Sequence, residues 1–227
     1  MESIKSKSNQ LVSSTSTSFT RYLMSSIDWK WRLTGILGAR GTGKTTLLLQ
    51  HLKMNYGISD VAMYISLDDL YFAENKLTDI AQQFISKGGQ YLYIDEVHKY
   101  NNWAIELKNL YDYYPALTIY FTGSSVIEIL KQDVDLSRRA ITYKINGLSF
   151  REYLILNNTI KIPPLTIEEI LNNHTQLSAD LVQKFKPLAH FDSYLKFGYY
   201  PFYFENTELY YRRLEQIIKL IIENDIN

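Results

Sequence analysis

The chain has 227 residues, of which 46% are hydrophobic and 21% charged, and its 24 basic and 24 acidic residues give a formal net charge of zero. This composition is typical of a globular protein and gives no overall attraction to nucleic acid or to acidic membranes. The absence of cysteine excludes disulfides, thiolate zinc sites and cysteine nucleophiles, and the four histidines do not fall at metal-ligand spacing. No apolar run approaches the roughly 18 residues that a membrane-spanning helix needs. We therefore expect a cytoplasmic protein with no membrane association.

Strand and helix patterns alternate along the first two thirds of the chain. Residues 1–20 are rich in Ser and Thr and poor in apolar side chains, which predicts a weakly ordered lead-in. Beyond them, apolar runs typical of strands alternate with runs of helical spacing: strands at 32–37, 61–66, 91–94, 117–121 and 140–145, helices at 44–54, 75–87, 101–111 and 124–131. Continuous apolar strands joined by helices predict a parallel sheet buried on both faces, and the fold class is a three-layer α/β fold.

The strand pattern stops after Gly147. Two capping boxes follow, from Ser149 to Glu152 and from Thr166 to Glu169, and each predicts the start of a helix. A further helix is expected near 191–197, and Asn206 is suited to cap a long final helix. The predicted organisation is a lead-in at 1–20, an α/β core at 21–147 and a helical annex at 148–227.

The turn after the first strand carries the Walker A pattern G-x-x-x-x-G-K-[ST]. The residues expected to contact nucleotide are Gly38, Ala39, Arg40, Gly41, Thr42, Gly43, Lys44, Thr45 and Thr46. Glycines let successive N–H groups point inward, and the N-terminus of the following helix adds its positive dipole end, so the loop should bind phosphate groups. Lys44 is expected to reach the β- and γ-phosphates and the Thr45 hydroxyl to ligate Mg²⁺. An ordinary glycine-rich turn would not need Lys44.

Two acidic residues, Asp95 and Glu96, follow the apolar run at 91–94. The carboxyl ends of parallel strands are where α/β sheets bind ligands, so Asp95 is the expected Mg²⁺ partner and Glu96 the residue that orients and polarises an attacking water. Adjacent acids also occur simply to solubilise a strand end. A GTPase would normally show the guanine-reading pattern N/T-K-x-D after a later strand, and none is present, so ATP is the expected nucleotide.

Two further groups complete the candidate site. Thr122 or Ser124, at the tip of the fourth strand, is positioned to sense a γ-phosphate, although the same residues are suited to cap a helix. Arg138 and Arg139 precede the fifth strand. One of them could act as an arginine finger in the same chain or toward a neighbouring copy, and the alternative is a surface pair that answers nearby aspartates.

With these residues in place, the chain resembles the AAA-type ATPases. In particular it resembles bacterial and archaeal ATPases whose AAA domain precedes a C-terminal domain of unknown function. The resemblance covers the chain from about Arg21 onward. It rests on the strings GARG at 38–41, LDDLYF at 67–72, IDEVHK at 94–99, FTGSS at 121–125, LSRRA at 136–140 and LSFREY at 148–153. The loop alone is generic, whereas this run of strings together is specific.

The resemblance implies a sheet order of 5-1-4-3-2, Mg-ATP as ligand, Thr122 as a sensor, and Arg139 or Arg138 as a finger. Similar proteins continue well past the segment that resembles residues 220–226, so we expect this chain to be a fragment that lacks a partner domain. A Gly-x-Pro element that contacts adenine in related signalling ATPases is not carried over, because Gly198 and Pro201 are separated by one residue too many.

Two hypotheses follow. The first is a Mg²⁺-dependent ATPase of AAA type that binds ATP and ADP and drives a conformational change in an attached domain or protein partner, with a homo-oligomer left open. The second is a nucleotide-binding switch whose hydrolysis is negligible. The zero net charge gives a role on nucleic acid no support.

Overall fold

The computed structural model describes residues 1–123 and 136–225. The chain divides into two compact units, Met1–Asn146 and Gly147–Asn227. The helix expected at 124–131, together with Ser124, lies outside the described residues.

The first unit is built on a parallel sheet. Its strands are β1 (Leu33–Leu37), β2 (Ala62–Ser66), β3 (Tyr91–Asp95), β4 (Thr118–Gly123) and β5 (Ile141–Lys144). They lie in the order β2-β3-β4-β1-β5, and every neighbouring pair is parallel. Read from the other side this is 5-1-4-3-2, so the expected order is confirmed. It places β3 and β1 on either side of β4, which brings the ends of all three strands together.

Helices cover both faces of this sheet. They are α1 (Glu2–Ser14), α2 (Leu23–Ser26), α3 (Lys44–Asn55), α4 (Leu77–Ser86) and α5 (Trp103–Tyr113), with short 3₁₀ turns at Leu70–Ala73 and Val97–Lys99. Alternate strand residues enter two separate apolar clusters. Ile94 and Phe121 join one cluster, while Tyr93 and Tyr120 join the other. The predicted three-layer α/β fold is thereby confirmed.

The N-terminal segment differs from the sequence-based expectation of weak order, because residues 2–14 form α1. Ile4 is buried in one apolar cluster and Val12 in the other. Between them, the Ser8 hydroxyl oxygen accepts a hydrogen bond from the Tyr64 N–H at 3.0 Å, on strand β2. The helix thus crosses the open edge of the sheet at β2 and contacts both apolar clusters. Ile4, Ser8 and Val12 are spaced four residues apart and therefore lie on one face of the helix. The average composition of the segment does not reveal this spacing.

The second unit is helical in its described residues. Its elements are α6 (Phe150–Leu156), α7 (Ile167–Lys184), α8 (Pro187–Phe197), a 3₁₀ turn at Pro201–Phe204 and α9 (Tyr210–Asp225). Both predicted capping boxes are present, at Ser149 and Thr166. The Asn206 side chain accepts a hydrogen bond from the Leu209 N–H at 3.1 Å, just before α9. In the described parts of both units, no helix combines the length and the apolar character needed to cross a bilayer.

Candidate functional site

The backbone of the loop between β1 and α3 has the conformation that its glycines permit. Gly41 and Gly43 have φ values of 77° and 94°, in the left-handed region where a side chain is strained. Gly38 is required for a different reason, because a Cβ there would lie 2.3 Å from the Ile145 carbonyl oxygen. The loop therefore packs closely against the end of β5 and leads directly into the N-terminus of α3. A helix N-terminus behind such a loop favours anions.

Lys44 lies over its own loop. Its Nζ donates hydrogen bonds to the carbonyl oxygens of Gly38 and Ala39, each at 3.0 Å, and the residue is 4% exposed. Burial lowers the pKa of Lys44, and the nearby carboxylates of Glu96 and Asp95 oppose that shift. The ammonium is thus held, largely desolvated, beside the loop and close to both acids.

Asp95 connects three elements at the carboxyl end of the sheet. It ends β3 and is 3% exposed. Its Oδ2 accepts hydrogen bonds from the Thr45 hydroxyl at 2.6 Å and from the Tyr64 hydroxyl at 2.8 Å, and its Oδ1 accepts one from the Thr122 hydroxyl. Burial and the adjacent Asp95 carboxylate raise the pKa of Tyr64, so this phenol stays protonated as a donor. A carboxylate and a hydroxyl in contact are hard oxygen ligands, which suits Mg²⁺.

Glu96 has an unusual backbone conformation for a residue with a side chain. Its φ is 54° and its ψ is 44°, and its N–H donates to the Thr122 hydroxyl oxygen at 3.1 Å. Thr122 therefore contacts both acids, donating to Asp95 and accepting from Glu96. Strained backbone of this kind is concentrated at functional sites. The structure places the predicted residues Lys44, Thr45, Asp95, Glu96 and Thr122 at one end of the sheet.

Arg138 and Arg139 lie elsewhere. They precede β5, whose first residue, Ile141, pairs with Thr34 near the start of β1. The phosphate-binding loop follows the opposite end of β1, and a strand of that length separates the two by about 15 Å. Arg139 forms a two-pronged ion pair with Asp112 on α5, at 2.8 and 2.9 Å, whereas Arg138 is exposed. The structure does not bring either arginine to the loop of the same chain.

Sequence reasoning missed one supporting residue, Arg21. It is 8% exposed, and its guanidinium donates to the Thr42 carbonyl oxygen at 2.6 Å and to the Asn146 carbonyl oxygen at 2.8 Å. It thus ties the phosphate-binding loop to the end of the first unit. Nothing in the spacing of the sequence distinguishes this arginine from others.

Asp68 and Asp69 form hydrogen bonds within the turn after β2. Asp68 Oδ1 accepts one from the Ser66 hydroxyl at 2.5 Å. Asp69 accepts a hydrogen bond from the Tyr71 N–H at 3.0 Å and pairs with Lys7.

Several known proteins are similar to this chain. The chain is 35% identical over 207 residues to the uncharacterized protein MJ1637 of Methanocaldococcus jannaschii, covering 84% of this chain but only 43% of that protein. Among solved structures, it is similar to C. elegans PCH-2, with 19% identity, a TM-score of 0.41 and coverage of 75% of this chain and 47% of that one. It is also similar to AMPPCP-bound DnaA of Aquifex aeolicus, with 18% identity, a TM-score of 0.41 and coverage of 66% and 53%.

The family model described as an AAA domain matches residues 30–154, which is more than half of the chain and includes the phosphate-binding loop and both acids. The structural likenesses are too distant to add to this match. With the sheet order and the phosphate-binding loop described above, the match shows that the chain belongs to the AAA family of P-loop ATPases.

Proposed function

We propose that the chain binds Mg-ATP, hydrolyses it, and couples nucleotide turnover to the conformation of an attached domain or protein partner. The observation that carries the proposal is the set of hydrogen bonds on Asp95. One carboxylate joins Thr45 of the phosphate-binding loop to Thr122 of β4, and Glu96 follows it directly. Such an arrangement aligns a metal-binding pair with a candidate base, which phosphoryl transfer to water requires.

Each residue has a distinct role in this proposal. The N–H groups of the loop bind the phosphates, and Lys44 contacts the β- and γ-phosphates. Thr45 and Asp95 would hold Mg²⁺, because their oxygens are already in contact and suit a hard cation. When bound, the ion neutralises charge on the phosphate oxygens. Glu96 orients a water molecule and accepts its proton, while Thr122 fixes the positions of both acids.

A second copy of the chain supplies the arginine in this proposal. Both candidates lie at the opposite end of the sheet from the loop of their own chain, so either could act as a finger only toward a neighbouring copy. Arg138 is better suited than Arg139, because it is exposed and Arg139 would first have to leave Asp112.

The proposed coupling of nucleotide turnover to a partner is supported by the length of a related protein. The chain spans 43% of MJ1637, so we propose that proteins of this kind carry a further domain on which the ATPase acts. We further propose a cytoplasmic location, in agreement with the composition.

Hydrolysis of ATP with Mg²⁺, measured over a series of protein concentrations, tests the proposal. Lys44→Ala should weaken nucleotide binding and lower turnover at least about 100-fold, because it removes a charge that neutralises the developing negative charge. Glu96→Gln should lower turnover by about 10²–10⁴-fold while nucleotide affinity is retained, because only the base is lost. Wild-type turnover in the Glu96→Gln variant would remove Glu96 from the mechanism.

A nucleotide-binding switch is the second candidate, and one observation favours it. Neither Arg138 nor Arg139 lies at the loop of its own chain, so a single copy lacks the positive charge that these residues would add to the transition state. Tightly bound nucleotide in the purified chain, with negligible turnover at every protein concentration, would favour the switch. Turnover that rises more than linearly with concentration would favour an ATPase whose site forms between copies.

A further inference from the structure

The turn that follows Asp95 orients one side chain toward Glu96. Residues Val97–Lys99 form a single 3₁₀ turn, and Val97 is 0% exposed, so it anchors the turn in the apolar core. The backbone of Glu96 is fixed separately by its N–H bond to Thr122. Both residues that precede His98 are therefore held, and the Lys99 N–H closes the turn around it by donating to the Glu96 carbonyl oxygen at 2.9 Å.

His98 lies against the carboxylate of Glu96. Its Nε2 is 3.2 Å from Glu96 Oε2, and the two side chains are 6% and 25% exposed. The N–H direction is not aligned with that oxygen for a hydrogen bond of ordinary angle. Contacts to catalytic bases are often long and poorly aligned before the substrate is bound, so the distance carries more weight than the angle.

The chemistry of this contact suits a positioning group. A glutamate side chain has three rotatable bonds, and one that is partly exposed has more than one orientation open to it. An imidazole that donates from Nε2 to one carboxylate oxygen restricts those orientations and leaves the other oxygen to accept a proton from water. A base oriented by a third group is a recurrent arrangement in catalytic sites. Neutral histidine can make this donation, so no change of protonation is needed.

We propose that His98 is a positioning residue for Glu96, an inference that rests on the proposed hydrolysis. His98 contacts neither nucleotide nor metal in this proposal, and it acts only by holding the Glu96 carboxylate in the orientation that the attacking water requires. Sequence analysis gave no indication of this role, because a histidine two residues after the acidic pair has no recognisable spacing. The role depends on the turn that brings the imidazole back toward Glu96.

Steady-state kinetics with Mg-ATP test the role. His98→Ala should lower kcat about tenfold and leave KM within about twofold, because a misoriented base slows chemistry without weakening binding. His98→Gln should recover most of the rate, since its amide can donate to the same carboxylate. In a Glu96→Gln background, His98→Ala should add no further loss, because residues that act as a unit are not additive. His174→Ala, an exposed histidine of the second unit, is the matched control and should leave both constants unchanged.

A second measurement does not depend on turnover. The side-chain ¹⁵N signals of the four histidines can be recorded by NMR, and the His98 signal identified by its loss in His98→Gln. Glu96→Gln should shift the Nε2 signal of His98, whereas Glu74→Gln, a matched change at an exposed glutamate, should not. An unshifted Nε2 signal in Glu96→Gln would show that the contact is absent and would overturn the inference. This test does not use His98→Ala, so it remains decisive even where that variant folds poorly.

The outcomes separate the two proposals. A wild-type chain that never hydrolyses ATP overturns the proposed function, and the NMR comparison then decides the contact on its own. A wild-type chain that loses turnover in Glu96→Gln but keeps its full kcat in His98→Ala overturns only the role of His98. A tenfold loss in His98→Ala that His98→Gln does not recover would indicate a structural role, and it would also overturn the inference.

Discussion

The two ends of the central sheet use their polar residues differently. At the carboxyl ends of the strands, Thr45, Thr122 and Tyr64 all donate to the single carboxylate of Asp95. At the amino ends, two arginines are held by separate local contacts: Arg139 by Asp112, and Arg32 by the carbonyl oxygens of Tyr111 and Tyr114. One end is a network centred on a group that can bind a cation, and the other is a set of separate local contacts.

This difference indicates how a complete catalytic site would form. The network end contains the phosphate-binding loop, the pair proposed to hold Mg²⁺ and the candidate base within one chain. The arginine end lies a strand length away from that loop, so in the proposed mechanism its arginine acts on the loop of another copy. The proposed mechanism therefore predicts that each catalytic site forms between two copies. One copy provides the Asp95 network and the loop, and its neighbour provides the arginine.

Among the variants that compare the two ends, the largest expected effect comes from Arg138. Arg138→Ala should lower kcat by about 10³-fold at high protein concentration, which is the lower range for loss of an arginine finger. An equimolar mixture of Arg138→Ala and Lys44→Ala should regain part of the activity, because the intact loop of the first variant meets the intact arginine of the second. ATPase assays of each variant and of the mixture measure this.

Arg139→Ala is the matched control for that experiment. Its side chain is already engaged by Asp112, and a surface ion pair of this kind contributes little to stability. We expect a much smaller loss of turnover than in Arg138→Ala. Equal losses in both variants, or a mixture with no more activity than its components, would contradict a site shared between copies.

A smaller effect is expected at the centre of the network. Thr122→Val keeps the shape of the side chain but removes the hydroxyl that donates to Asp95 and accepts from the Glu96 N–H. Turnover should fall about 10–100-fold, because both acids lose a fixed orientation and a buried N–H is left without its partner. Thr122→Ser, which keeps the hydroxyl, should retain most of the activity. A Thr122→Val variant with wild-type kcat would show that the network is not needed.

The sequence predicted which residues lie together at the network end, and the reason is physical. A loop that binds phosphate needs Gly41 and Gly43 at positive φ and a lysine at the start of the helix, and few other residues satisfy these demands. Parallel strands then carry Asp95 and Thr122 to the same end of the sheet whatever the details of packing. Motif and topology together were sufficient there.

The remaining features depend on the folded geometry and not on a motif. Arg21 supports the loop from 21 residues before Thr42, and α1 crosses the open edge of the sheet through Ile4, Ser8 and Val12. Their residue types are common, and only the folded geometry gives them a role. The position of His98 beside Glu96 likewise depends on the turn at Val97–Lys99, which has no distinct pattern in sequence.

The smallest expected effect comes from Arg32, at the amino end of the sheet. It tests whether this arginine has only a structural role. Arg32 donates to the carbonyl oxygens of Tyr111 and Tyr114 at 2.9 and 3.0 Å, and its guanidinium lies 4.3 Å from the centre of the Tyr111 ring. Arg32→Met keeps the aliphatic stem but removes these bonds, so the free energy of unfolding should fall by about 2 kcal/mol. Denaturant unfolding measures it, with Lys30→Met, at an exposed lysine nearby, as the neutral control.

Turnover per folded molecule should be unchanged in Arg32→Met, because its contacts hold the chain around the start of β4 and none of them reaches the phosphate-binding loop. A loss of kcat without a loss of stability would mean that Arg32 itself acts across a boundary between copies. Arg32 would then be a second arginine that acts on the loop of another copy. The contact surface between copies would have to include the start of β1 as well as the turn before β5.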